Sequence, residues 1–226
     1  IYAEKGQEEW AIEELRAAQS LFEDDESVLL QLARLELDAG NLDRAEKTAR
    51  DVLVLNPDNT DARIELAFIS LKEGDEFKSE TLALAREVAS KESAPALLKG
   101  IVVAVDEHDD ARLLEAARDA VEINEPKFAL FALDFVSAQN EKSRDVLFYR
   151  GYAQLLEEKP DIAKEFILQA LTLDEDNELI HYVLGNTYYV LGEYDLALQE
   201  YDRAKALGLK EDGLEAQRER AGELAR

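Results

Sequence analysis

At 226 residues, 46% apolar and 34% charged, the chain has enough hydrophobic material for a core beneath a heavily charged surface, which excludes intrinsic disorder. Lys and Arg number 26 against 51 Asp and Glu, a formal net charge of −25 that repels phosphate backbones and anionic headgroups; this argues against nucleic-acid and membrane-surface roles and suits either plain solubility or a basic protein or peptide partner. With no cysteine there is no disulfide, thiolate metal site or cysteine nucleophile, and no apolar run reaches the roughly 18 residues of a membrane helix.

Glycine (10) and proline (4) are scarce, as in a nearly all-helical chain. Residues 1–25 read as half of a helical hairpin, with a stripe at Trp10, Leu15, Ala18 and Leu21. Ile1 is not an initiator methionine and falls inside a hairpin, which is what a piece of a longer protein would show. Residues 26–59 form a full unit: Leu29, Leu32 and Ala33, the turn Gly40-Asn41, then Ala45 and Ala49, closed by Asn56-Pro57-Asp58-Asn59. The pattern restarts at Thr60, with Leu66-Ala67 and Gly74 lying 34 residues after Leu32-Ala33 and Gly40. A second helix is expected at about Glu76–Ser90, then a weaker unit over Ala94–Ile123 with Gly100 in the glycine slot and a stripe at Leu113, Ala117 and Ala120.

Counting breaks next: Ala67 to Gly151 spans 84 residues, two periods and about half of a third. The surplus contains Lys127–Asn140, read as one extra or divergent helix that bends the array or splits it; the alternative is a normal hairpin too degenerate to recognise. Regularity returns at Arg144, where Leu147, Gly151, Ala163 and Ala170 precede His181, Gly185, Ala197 and Ala204 by one period. Glu178–Leu207 is the most complete hairpin, with Leu184, Tyr188 and Leu191 on one helix, Ala197, Tyr201 and Ala204 on the other, and a turn at Gly192-Glu193. Asn177 or Asp176 is placed to cap its first helix, and Gly208 to end its second. Pro160 suits the first turn of its helix, and Glu211–Arg226 reads as a polar capping helix.

His181-x2-Leu184-Gly185-x2-Tyr188 followed by Ala197-x3-Tyr201 resembles the tetratricopeptide repeat pattern Trp-x2-Leu-Gly-x2-Tyr, Ala-x3-Phe, with His181 in the first aromatic slot and the closing proline absent. The resemblance is good at 26–75 and 144–208, partial at 1–25, weak at 76–126 and absent at 127–143. It implies an all-α, right-handed α-solenoid of antiparallel helix hairpins, about five to six repeats in one array over 1–226: regular at 1–92, divergent at 93–143, regular at 144–208, capped at 211–226. It also implies a concave groove lined by first helices, and that face holds Leu30, Arg34 and Leu37; Ile64, Phe68 and Leu71; Phe148, Tyr152 and Leu155, flanked by Asp145 and Tyr149; and Tyr182, Asn186 and Tyr189. Such rows also pack against the next hairpin, so each residue has a core reading beside the binding one. The Lys, Asn and Arg clamp with which some relatives hold acidic chaperone C-termini is not matched, since Arg34 stands alone among Asp61, Glu65 and Asp145.

No chemistry of catalysis or metal binding accompanies the repeats. Asp106–Asp110 around His108 reads as a solvated turn in which Asp109 or Asp110 caps the next helix, and His181 as a packed core histidine. Asp174–Glu178 starts like a calcium loop, but its sixth and twelfth positions are Leu179 and Gly185. No phosphate loop, nucleophile elbow or zinc-type histidine pair is present. The expected function is a non-enzymatic, cofactor-free scaffold or adaptor in the cytoplasm or periplasm, binding a peptide, helix or loop of a partner. The alternative is a self-assembling repeat protein that docks through an array end, near Trp10 and Leu15, or through the groove.

Overall fold

The structure, a computed structural model, describes residues 5–21, 25–73, 78–210 and 213–225, with backbone only for 5–9, 20–21 and 73. Its regular elements are all α-helices: α1 (Lys5–Leu21), α2 (Glu26–Asp38), α3 (Leu42–Leu55), α4 (Thr60–Glu73), α5 (Lys78–Ala89), α6 (Ala96–Glu107), α7 (Asp110–Glu122), α8 (Pro126–Asp134), α9 (Arg144–Leu156), α10 (Pro160–Leu173), α11 (Glu178–Val190), α12 (Tyr194–Leu207) and α13 (Leu214–Leu224). They are distributed over two compact units, Ile1–Val103 and Ala104–Arg226. In the first, α1 to α5 pack each on the next, and α2 also meets α4. In the second, α9 packs on both α7 and α8, and α9 to α13 follow one another as stacked hairpins.

Small-residue stripes make these contacts close. α3 buries Ala45, Thr48, Ala49 and Val52, spaced three and four apart, so one face is packed, while its charged residues and the exposed Val54 lie elsewhere. α10 buries Ala163, Ile167 and Ala170, and α12 buries Ala197, Tyr201 and Ala204 in the same way. At Gly185 a Cβ would stand 2.6 Å from Cδ1 and Cε1 of Tyr201, and at Gly151 a Cβ would stand 2.6 Å from Ile167 Cγ1. Gly100, assigned to the same slot from sequence, has open space there and makes no such approach.

One turn design recurs through the chain. At Gly40 (φ 75°) the backbone N–H donates to Leu37 O, and the next N–H, of Asn41, reaches back to Glu36 O. This is the Schellman pair that satisfies carbonyls at a helix end. Gly192 and Glu193 repeat it, as do Gly208 and Leu209. So do His108 with Asp109, Asn124 with Glu125, and Glu158 with Lys159, where non-glycine residues take φ of 56°, 60° and 59°. Each costs about 1 kcal/mol relative to a right-handed residue, offset by the two hydrogen bonds. α7 and α8 are therefore joined by the same tight reversal that joins α11 and α12. The half-period surplus between Ala67 and Gly151 contains one additional short helix.

The helix expected over 127–140 ends at Asp134. Beyond it, the Asp110 carboxylate captures the chain, accepting from the Ser137 N–H (3.0 Å), the Ser137 hydroxyl and the Asn140 amide (2.7 Å). A second correction concerns α1: Trp10 is 63% exposed, whereas Ile12, absent from the sequence-derived stripe, is buried. Asn177 caps α11 through Ile180 N (3.1 Å), Asp109 caps α7 through Arg112 N (3.1 Å), and Pro160 opens α10. The expected turn at Gly74, the first residues of the expected 76–90 helix, the Leu21 side chain and the start of the capping helix at 211 lie outside the described residues.

Candidate partner-binding face

The face singled out in the sequence divides between the two units. In the first, Arg34 on α2 is 47% exposed at its side chain and donates to Glu65 of α4 at 2.6 Å, while Phe68 is buried. The remaining residues lie on α9 and α11 of the second unit, which touch directly. Here the structure separates two groups: Phe148 and Tyr182 are buried in the core of the unit, whereas Tyr149, Tyr152, Asn186 and Tyr189 keep part of their surface in solvent.

The rings are mutually braced. Phe148 meets Tyr149 edge-on at 5.1 Å and Tyr152 at 6.0 Å between centroids, and Tyr189 meets Tyr194 edge-on at 5.5 Å. Both arrangements suit the ring quadrupole and hold the half-exposed tyrosines in place at little further entropic cost. Asp145 accepts from Arg144 Nε at 2.7 Å, so its charge is partly neutralised at the edge of the face. Burial pushes the Tyr149 hydroxyl above its ordinary value, although Arg118 pulls the other way.

Asn186 is oriented from beneath. The Tyr201 hydroxyl, on α12, donates to Asn186 Oδ1 at 2.9 Å. Burial, with the adjacent Tyr182 and Tyr189, pushes the Tyr201 hydroxyl far up, so it stays a donor. Held through one bond to its oxygen, Asn186 presents its NH2 group, which makes no hydrogen bond among the described residues. Sequence placed Tyr201 in the core stripe but could not show that its hydroxyl reaches across to this amide. The only available signal was a tyrosine where the repeat pattern has phenylalanine.

The acidic loops have local work. Glu107 and Asp109 pair with Arg112, Asp110 holds Ser137 and Asn140, and Asp174 takes Arg144 at 2.8 Å. His108 is exposed; His181 is buried, with Nδ1 at 2.6 Å from Glu200 Oε2 and Nε2 at 3.0 Å from Glu175 O. Among the described residues no group of three or more His, Asp or Glu is placed to hold a metal ion, and no helix is long and apolar enough to cross a membrane.

Models of the tetratricopeptide repeat match residues 26–69 and residues 157–210. Among curated proteins none matches significantly. Similar solved structures include that of Pseudomonas aeruginosa PilF, at 20% identity over 88% of this chain and 84% of that one, with a TM-score of 0.46. MamA is 16% identical over 80% of this chain and 91% of its own, with a TM-score of 0.40. TTC0263, a thermophilic TPR protein of Thermus thermophilus, is 22% identical over 87% and 98%, with a TM-score of 0.38. The two matched segments, one in each compact unit, carry the turn, the small-residue stripe and the packed hairpins described above, and over these segments the chain carries tetratricopeptide repeats.

Proposed function

We propose that this chain is a non-enzymatic scaffold that holds a peptide, helix or loop of a partner protein against the face formed by α9 and α11. Repeats of this family serve protein interaction in general, and one observation supports this particular face. Three tyrosines, 149, 152 and 189, remain half-exposed around an amide held through its oxygen. Tyrosine buries a large area with few rotors to order, and an outward NH2 pairs with a peptide carbonyl. The acidity of the whole chain favours a partner with basic character.

The test is affinity capture from the source cell's extract with wild type beside a Tyr152→Ala, Tyr189→Ala variant shown by circular dichroism to be folded. A partner held by wild type should lose about tenfold or more in affinity for the variant, as when central aromatic anchors are truncated. Equal retention on both would remove this face from the function. A second reading, self-association, draws on Trp10 of α1, a residue 63% exposed. It predicts a mass that rises with concentration in light scattering and a Trp10→Ala variant that stays monomeric.

A further inference from the structure

We infer that a cleft between α1, α2 and α3 is a second, separate docking site in the first unit, built for an acidic peptide segment of a partner. The inference rests on the scaffold reading and gives the partner's chemistry at a place distant in sequence from the tyrosine face. The cleft encloses about 310 Å³. Its floor is Leu32 and Glu36 of α2, both 2% exposed. One wall is Arg16 and Gln19 of α1, the other Arg44 and Lys47 of α3.

The charges decide what fits. Glu36 is satisfied internally: Arg16 donates to one carboxylate oxygen at 2.7 Å and the buried Thr48 hydroxyl to the other at 2.8 Å. That set is neutral and holds Arg16 against the floor. Of the remaining charged groups in the lining, Arg44 and Lys47 are positive and Asp51 is negative. Among the described residues neither Arg44 nor Lys47 forms an ion pair, while Arg50, on the same helix but outside the cleft, pairs with Glu46 at 2.6 Å. α3 thus turns its unpaired cations into the cleft within a chain of net charge −25. Screening confines the influence of distant carboxylates to about 10 Å at 0.1 M salt, so the lining charges, Arg44 and Lys47 against Asp51 with one positive in excess, set the local preference.

The layout favours a segment over a single small ion. Arg16 and Gln19, and likewise Arg44 and Lys47, are three residues apart and so succeed one another along their helices. With Arg16 held by Glu36, the donors left to a ligand are Gln19 on one side and Arg44 and Lys47 on the other, the latter pair spanning about one helical turn, a length that takes neighbouring acidic side chains. The exposed ends of Arg44 and Lys47 meet the carboxylates at the mouth of the cleft, without a buried unpaired charge.

Fluorescence anisotropy of labelled hexaglutamate on the full chain tests this. Binding is expected at about 0.1 M salt, where distant carboxylates are screened, and should weaken as salt rises further; Arg44→Glu, Lys47→Glu should cut affinity about tenfold or more, and the neutral Arg44→Gln, Lys47→Gln pair by less. Arg50→Glu, which changes net charge outside the cleft, should alter affinity less than about twofold. The proposal is overturned if wild type does not bind hexaglutamate, if the charge-reversed pair binds as well as wild type, or if Arg50→Glu loses as much. Inorganic phosphate that displaces the peptide with equal affinity would make this a small-ion site, which also overturns it. The Tyr152→Ala, Tyr189→Ala variant should bind hexaglutamate like wild type, so failure of either site is read without the other.

Discussion

The hairpin α2–α3 and the hairpins α9–α10 and α11–α12 solve one packing problem in two ways. In the first unit Ala33 faces the stripe of Ala45 and Ala49, and all three are fully buried. In the second unit the position of Ala33 is taken by Gly151 or Gly185, and the position of Ala49 by Ile167 or Tyr201, again with almost no exposure. Methyl against methyl has been exchanged for nothing against a large side chain. The close approach of helices is kept, and the volume that fills it is moved across the interface. At Gly151 and Gly185 the glycine accompanies a large residue opposite it, and at Ala33 the alanine accompanies a small one; Gly100, with open space beside it, follows neither.

The strongest way to break the comparison is to remove the large member. Tyr201→Ala should cost about 3–5 kcal/mol, because the ring fills a site that cannot collapse and its hydroxyl leaves Asn186 unpaired. Thermal or urea unfolding of the full chain measures this. Next in size is adding the missing methyl, at about 1–3 kcal/mol. Gly151→Ala should cost more than Gly185→Ala, since its Cβ would meet backbone, Ala163 O and Ile167 N at 3.1 Å, as well as a side chain. In a Tyr201→Ala background, Gly185→Ala should become neutral or stabilising, as alanine is about 1 kcal/mol better than glycine within a helix. A penalty that persists there would show that the slot is closed by something other than the ring. Ala33→Gly, the mirror change in the first unit, should cost only about 0.5–1 kcal/mol.

Much of this was legible before any coordinates. The glycine slot, the period, the Asn177 cap and the left-handed Gly208 follow from local chemistry that a sequence displays. The reversals at His108, Asn124 and Glu158 were less so: Asn and His tolerate a positive φ better than most residues but are common elsewhere, and Glu gives no sign of one. The extra helix stops at Asp134 because Asp110, from the preceding helix, captures Ser137, a long-range contact with no periodic signature. The candidate face was legible as a helix face only. Burial separates Phe148 and Tyr182 from Tyr149, Tyr152 and Tyr189, and the periodicity of a single helix does not show which of its residues a neighbouring helix covers. Glu36 shows the same limit, since an acid on an amphipathic helix gives no sign that Arg16 and Thr48 will meet it inside.

The smallest expected effects come from a second contrast between the units, at the loops that join one hairpin to the next. In the first, Glu26 at the start of α2 accepts from Asn56 (3.0 Å) and Asn59 (2.9 Å). At the equivalent place in the second, the helix start carries Arg144, which donates to Asp174 at 2.8 Å while the Asn177 amide donates to the same carboxylate at 3.1 Å. The staple is kept and the charges are redrawn. Arg144 and Asn177 hold the Asp174 carboxyl below the usual carboxylate range. The unfolded chain then takes up that proton at a higher pH than the folded one, near 3.9. The staple's contribution is complete above that value and is lost as pH falls through the depressed folded value. Asp110 is also held low, but differently: burial pushes its carboxyl up, and hydrogen bonds from Ser137 and Asn140 outweigh it without any cation. Added salt should therefore raise the titration midpoint of Asp174, read by carboxyl NMR, and leave that of Asp110 nearly unchanged. Arg144→Gln should move Asp174 upward and abolish its salt response. If both acids respond equally to salt, the charge–charge part of the staple is not what distinguishes the second unit from the first.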